Sequence, residues 1–364
     1  MKNANKKETS SSENSQTLKI DFYESGIGDT TIVTFPSGGI AIVDAHPSQH
    51  DHRPDIRKIA EGRTIHFVCL THPHADHGAD LIPLLEEHPA VGEFWSTLHD
   101  VPSLLYGIQE MRNFPSPVKE FASQLNHVWA NFFLDLLGAV AKRKIPRHLL
   151  RSDQRKKTID GVDIHCIAPD ESIQNSYFDS YRQSLKDSNR KFPDPNSLSA
   201  VLVLRFGESV VLLGADALRK NWDSAVINYR GRNLPNAHVL KVPHHGAKNT
   251  FNFGHNAQTY LDLCLPNKQS KAVLFAGDSK HPAVDVYSKV CEYSELYCLS
   301  NGTRRQVGDS NPLRIGILGA QAVRTVPTCN PAVSFELDRN GNVNVLSGRN
   351  CEACPLAELH GTTS

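Results

Sequence analysis

Three histidines and an aspartate, His72, His74, Asp76 and His77, fall within six consecutive residues, directly after the apolar run Ile65-His66-Phe67-Val68-Cys69-Leu70. Imidazoles and a carboxylate packed so closely are a donor set for a borderline divalent metal, or for two of them. The apolar run reads as a buried strand. The ligands then hang from its end, in the loop before a helix, where open α/β sheets place their chemistry. A His-rich surface loop is the bland alternative.

The pieces around this motif are strand-like and ordered. Residues 18–23 alternate as a strand, Gly26-Ile27-Gly28-Asp29 makes a tight turn, and residues 30–35 form a second strand. After the hairpin signal Pro36-Ser37-Gly38-Gly39, residues 40–44 form a third strand that ends on Asp44. Residues 79–90 read as the helix after the motif, and 91–96 as the next strand. Residues 99–157 read as an insertion. Its stretch 115–145 carries Val118, Phe121, Leu125, Val128, Phe132 and Leu136 at helical spacing and runs into a basic segment from Lys142 to Lys157. A polar, Pro-bearing stretch spans 170–196. In the second half, strands at 200–206 and 210–213 make a hairpin leading to Asp216. Strands at 239–242 and 272–275 lead to His244-His245 and to His281, and residues 332–347 form a hairpin around Asn340-Gly341.

The pattern His-x-His-x-Asp-His resembles the signature of the metallo-β-lactamase superfamily of hydrolases. The resemblance implies an α/β chain folded as an αββα sandwich, two central mixed sheets flanked by helices, here with a helical insertion. It implies two divalent metal ions, Zn or Mn. His72 and His74 would bind one ion, Asp76 and His77 the second, with Asp216 bridging and Asp44 holding the His loop from behind. Asp76 and Asp216 are then the carboxylates on which hydrolysis depends. Taken alone, Asp216 also suits a helix N-cap. Of the late histidines, His245 is the favoured ligand. His244 and His281 then face substrate as hydrogen-bond donors or as a general acid, although His281 equally suits the residue before a helix opened by Pro282. The mid-chain His of the superfamily has no counterpart. Asn196 and Ser199 stand where it would be.

That departure narrows the resemblance to the hydrolase domain of the competence protein ComEC and its soluble relatives. The matching pieces are Gly26-Ile-Gly-Asp29, Asp44, His72-Pro-His-Ala-Asp-His77, Asn196-Ser-Leu-Ser199, Gly214-Ala-Asp216, Lys241-Val-Pro-His-His-Gly246 and His281-Pro282, over residues 18–300. The chain departs in Gly-Ala-Asp for Gly-Asp and in Ala247 for Ser. Relatives of this kind hydrolyse phosphodiesters, so the resemblance implies a phosphodiesterase, with DNA as the substrate. Lys241 then either donates to phosphate oxygens or is a strand lysine paired to a carboxylate.

Charge sharpens what to expect of partners. Lys+Arg and Asp+Glu both number 39, which excludes a general attraction to nucleic acid through bulk charge. The basic segment at 142–157 either holds a nucleic-acid backbone or is a solvated helix end. Residues 1–17 read as a disordered leader without a signal peptide, 18–350 as the hydrolase domain, and 351–364 as a tail. With no apolar run long enough to span a bilayer and eight scattered Cys, no membrane is expected and the chain reads as cytoplasmic. Cys329, Cys351, Cys354 and His360 form either a small zinc site or a frayed tail. Two other functions stay open. One is hydrolysis of a lactone, thioester or β-lactam. The other is an effector subunit gated by a protein partner that docks on the 99–157 insertion.

Overall fold

The computed structural model describes residues 16–25, 28–47, 55–88, 90–98, 127–152, 154, 157–187, 189–228, 236–251, 259–265, 269–276, 281–300, 304–306, 323–325 and 329–350. The first half contains β1 (Leu18–Tyr23), β2 (Thr31–Thr34), β3 (Ile40–Val43), α1 (Ile56–Ala60), β4 (Ile65–Leu70), α2 (Ala75–Gly78), α3 (Leu81–Glu87), β5 (Val91–Ser96), α4 (His127–Lys142), β6 (Arg147–Leu149), β7 (Lys157–Ile159), β8 (Val162–Ala168) and α5 (Glu171–Lys186). The second contains β9 (Val201–Phe206), β10 (Ser209–Leu213), α6 (Arg219–Asn228), β11 (Val239–Lys241), α7 (Tyr260–Cys264), β12 (Lys271–Phe275), α8 (Val284–Tyr293), β13 (Glu295–Leu299), a small pair β14 (Arg304–Gln306) and β15 (Val323–Thr325), and the hairpin β16 (Ala332–Leu337) and β17 (Val343–Ser347).

Two mixed sheets result. One has eight strands in the order β17-β16-β1-β2-β3-β4-β5-β6, the other seven in the order β13-β12-β11-β10-β9-β8-β7. Side-chain alternation then makes four layers. Ala41 and Val43 of β3 face the same core as Leu202, Leu204, Val211 and Leu213 of the second sheet, so this core lies between the sheets. Ile40 and Ile42 turn the other way, onto α1, α3, α4 and α5. Val210 and Leu212 turn out onto α6, α7 and α8. Strands covered on both faces read as unbroken apolar runs, which is why β3, β4 and β10 stand out in the sequence. The chain is an αββα sandwich, as the resemblance implies.

The 99–157 segment differs from a plain insertion. Residues 99–126 lie outside the described residues. Phe133, Leu136, Ala139 and Val140 of α4 are core, and β6 extends the first sheet by pairing parallel to β5. The stretch 170–196 is not merely polar. It holds the 16-residue helix α5, whose Asp170 caps Ile173 N at 2.8 Å while Tyr177, Phe178 and Tyr181 are buried. No helix among the described residues is long and apolar enough to cross a membrane.

Parallel pairing fixes where chemistry can sit. β3 runs parallel to β4 and β5, and β10 parallel to β11 and β12. The C-terminal ends of β3 and β4 meet those of β10 and β11 at one edge of the sandwich. The hydrogen bond from Ala200 N to Thr71 O, 3.0 Å, joins the two halves there.

Candidate metal centre

Three of the four loops at this edge, those after β3, β10 and β11, carry an unusual backbone. Of the six described non-glycine residues with positive φ, four are here: Asp44 (54°), Ala215 (46°), His244 (47°) and His245 (52°). The left-handed region costs an L-residue about 1–2 kcal/mol. Such strain, concentrated in one place, marks a functional site when the surrounding structure holds it.

Asp44 does hold its surroundings. It accepts from Thr71 N at 2.8 Å, from Thr71 Oγ1 at 2.7 Å and from His77 Nδ1 at 2.9 Å. With Nδ1–H committed, His77 turns Nε2 inward, 3.6 Å from Asp216 Oδ2. That separation is too long for a hydrogen bond, and Nε2 is buried with no hydrogen-bond partner. His72 Nε2 and His74 Nδ1 face each other at 3.0 Å. Ligand atoms of His72, His77 and Asp216 lie within 4.8 Å of one another, all three residues buried. Two nitrogens on a tetrahedral zinc stand ~3.3 Å apart when each bond is about 2.05 Å, close to the spacings found here.

Charge supports the same fit. Asp29, Asp44 and Asp216 are buried beside one buried ammonium, Lys241, so two negative charges remain when His77 is neutral. A divalent cation offsets them. Burial disfavours a charge on His77, but Asp216, Asp44 and Asp29 outweigh it and push its pKa well above the ordinary value. Burial likewise works against ionised Asp216, yet His77, His245 and Lys241 hold its carboxyl well below the usual range. Burial pushes His72 down strongly, with His77 and His74 adding to the effect, and it also pushes His74 down, leaving both neutral and ligand-ready. Burial raises the Asp44 carboxyl, against the pull of His77 and Thr71.

The two adjacent histidines separate by their hydrogen bonds. His245 Nδ1–H donates to Phe275 O at 3.2 Å, leaving the Nε2 lone pair 3.8 Å from Asp216 Oδ2. His244 Nε2 accepts from Asn196 Nδ2 at 3.3 Å, so its lone pair is already engaged. The two rings thus differ in their partners, although both Nε2 atoms lie near Asp216 Oδ2, at 3.9 Å for His244 and 3.8 Å for His245. The His281 ring lies 5.7 Å from that of His244.

Asp76 is half-buried on α2, and its carboxylate is not among the ligand atoms of His72, His77 and Asp216 that lie within 4.8 Å of one another. Of the two readings of Lys241, the geometry is that of a strand lysine paired to a carboxylate. It is 2 % exposed, pairs with Asp29, donates to Ala215 O at 2.7 Å, and stands 3.7 Å from Asp216 Oδ1. Asp29 is the residue the sequence reading leaves without a role. Its signal is the Gly-x-Gly-Asp turn, where a Cβ on Gly28 would collide with the Asp76 carbonyl and with His46.

The basic segment is divided by β6, with Lys142, Arg143 and Lys144 before it and Arg151 after it. Arg147 pairs with Phe94 in a parallel register, so residues 142–147 enter β6 from its N-terminal end. Arg143 donates to Glu86 O, Arg147 to Leu98 O at 2.9 Å, Arg151 pairs with Glu171 at 3.2 Å, and Lys157 with Glu93. Cys351, Cys354 and His360 lie outside the described residues.

No protein-family model and no curated protein matches the chain. Among solved structures, it is similar to Igni18, a metallo hydrolase from the archaeon Ignicoccus hospitalis, at 12 % identity over 78 % of this chain and 95 % of that one, TM-score 0.40. It is similar to Zn(2+)-bound PqqB from Methylobacterium extorquens at 12 % identity over 76 % and 97 %, TM-score 0.41. It is also similar to a diphosphatase of the PhnP family at 12 % identity over 78 % and 87 %, TM-score 0.33. Likenesses this distant transfer no activity.

Proposed function

We propose that this protein is a two-metal hydrolase of phosphodiester bonds, similar to the ComEC hydrolase domain, with DNA as its substrate. The observation that carries the reading is the convergence of His72, His77 and Asp216, buried and with His77 Nε2 unpartnered, at the end of parallel strands from both sheets. Two divalent ions, Zn or Mn, supply Lewis acidity: they lower the pKa of water and neutralise phosphate oxygens. His72 and His74 would hold one ion and Asp76, His77 and His245 the other, with Asp216 as the carboxylate shared by both. Asp44 fixes the His77 tautomer. His244, whose Nε2 meets Asn196, and His281 beside it would serve substrate oxygens as hydrogen-bond donors or as a general acid.

The nuclease assignment rests on the Asn196-x-x-Ser199 and His244-His245-Gly246 motifs and on the absence of a middle His from the sequence. The test pairs metal content by mass spectrometry with cleavage of labelled single- and double-stranded DNA in Mn²⁺ or Zn²⁺, wild type beside Asp216→Ala. Bound metal and cleavage, both lost in the variant, are expected. Bound metal with no cleavage of DNA or of bis-p-nitrophenyl phosphate overturns the phosphodiesterase reading in favour of a lactone, thioester or partner-gated function.

A further inference from the structure

The buried ammonium of Lys241 sits where three loops of the centre meet. Its Nζ pairs with Asp29, donates to Ala215 O at 2.7 Å and stands 3.7 Å from Asp216 Oδ1, with the Phe275 ring 5.6 Å away. Asp29 and the Ala215 carbonyl take two of the three ammonium protons, and Asp216 Oδ1, beyond hydrogen-bond reach, meets the charge through space. The Ala215 carbonyl is shared, since His244 N also donates to it at 2.9 Å. One carbonyl thus joins the Asp216 loop to the His244-His245 loop, and Lys241 holds it inward against the left-handed backbone of Ala215.

Asp29 ties the same ammonium to the motif loop. Its Oδ2 lies 3.7 Å from His77 Nδ1, and the preceding Gly28 packs against the Asp76 backbone closely enough to exclude a Cβ. The two oxygens of Asp216 are therefore divided. Oδ1 faces Lys241. Oδ2 faces His77 Nε2, His244 Nε2 and His245 Nε2 at 3.6, 3.9 and 3.8 Å.

We propose that Lys241, held by Asp29, is a positioning residue: it hydrogen-bonds the Ala215 carbonyl and draws Asp216 Oδ1 toward its charge, so that Asp216 turns Oδ2 to the histidines that would hold a cation. This rests on the two-metal reading above and deepens it. In place of a donor to substrate, the lysine becomes an internal cation that sets the geometry of the bridge. A buried charge left without its partner is strongly destabilising, so its removal must be tested together with that of Asp29.

The experiment compares wild type, Asp29→Asn, the double variant Asp29→Asn/Lys241→Met, and Asp216→Ala. The readouts are cooperative unfolding in chelator, Mn²⁺ and Zn²⁺ affinity by titration, and kcat and KM on bis-p-nitrophenyl phosphate at rising metal. Expected are cooperative unfolding, at least tenfold weaker binding of the second metal equivalent in the double variant, a smaller loss in Asp29→Asn, and kcat recovered at saturating metal with KM little changed. Wild-type metal affinity in the double variant overturns the proposal. So does a kcat loss that saturating metal does not restore, which would mean that Lys241 touches substrate. Should the double variant fail to fold, Asp29→Asn carries the test, and wild-type affinity there is equally fatal. A wild type that binds metal without cleaving the diester defeats only the functional reading, since the affinities still judge the positioning role.

Discussion

Asp44 carries His77 on one carboxylate oxygen. Oδ2 accepts from His77 Nδ1 at 2.9 Å and from Thr71 Oγ1 at 2.7 Å, while Oδ1 accepts from Thr71 N at 2.8 Å. The strand end after β3 thereby aims an imidazole that belongs to the loop after β4. A carboxylate behind a ligating histidine fixes its tautomer and raises its basicity, and its loss typically weakens metal binding about 10–100-fold.

Asp44→Asn tests this link. Asn tolerates the left-handed backbone at this position better than other residues. It also keeps an acceptor for Thr71 but replaces the charge beside His77. The variant is expected to fold, and to bind metal roughly 10–100-fold more weakly. Competition with a chelator of known affinity measures it. Unchanged affinity would show that His77 is held by packing alone.

Metal binding is expected to strengthen with pH. In the metal-free protein, Asp216, Asp44 and Asp29 overcome burial and raise the His77 pKa above 6.5. With Nδ1–H given to Asp44, the titrating proton is on Nε2, the atom aimed at the metal. Proton and cation compete, so affinity falls as pH drops through the folded His77 pKa and levels off above it. His72 and His74 are depressed below 6.5 and add no proton to be displaced at neutral pH. Calorimetric titrations at pH 7 in buffers of differing protonation heat should report proton release on binding. Affinity that is flat from about pH 6 to 9 would remove His77 as a ligand.

How much of this was legible in the chain follows from what each residue does locally. The strand ends at Asp44, His72, Asp216 and His244-His245 could be read because strands buried on both faces are written as continuous apolar runs. Asp29 and Lys241 could be seen as motif members, but not what they do, because their contacts cross from one sheet to the other. The division between His244 and His245 was equally closed to sequence, since it depends on Asn196 and on the Phe275 carbonyl. The helix α5 was hidden by its polar face. Its N-cap Asp170 and the Tyr177/Tyr181 spacing were the signals available. The place of residues 142–147 before β6 could not be read from the chain, because linear proximity says nothing about which end of a strand a residue occupies.

Gly28→Ala should damage the centre from outside it. A Cβ there would fall on the Asp76 backbone carbonyl and the His46 side chain, and a backbone atom cannot swing away. Overpacking of this kind costs about 1–3 kcal/mol. The Asp76–His77 turn is the element that must shift, so metal affinity falls together with stability. Gly62→Ala is the control: its φ is +69° and nothing lies within 4 Å of the added Cβ, so only the backbone term is lost and metal binding is kept. Urea denaturation and metal titration of both variants check the contrast. Equal effects in the two would dissociate Gly28 from the site.

Charge reversal at Lys142 and Lys144 should leave substrate binding unaltered. Both are exposed, at the point where the chain enters β6 from its N-terminal end. The centre lies beyond the opposite ends of the parallel strands β3 and β4, and a six-residue strand such as β4 spans about 20 Å. That is roughly two Debye lengths at 0.1 M salt, over which exposed charges are largely screened. Lys142→Glu/Lys144→Glu is therefore expected to keep kcat and KM for a DNA or diester substrate within about twofold at 0.1–0.15 M salt, with the same dependence of KM on salt. If these lysines held a nucleic-acid backbone, each lost phosphate contact would reduce the slope of log affinity against log salt by about one unit. A slope change of that size would require DNA to wrap from the metal edge around to the far end of the first sheet. An unchanged slope leaves Lys142 and Lys144 outside the substrate contacts.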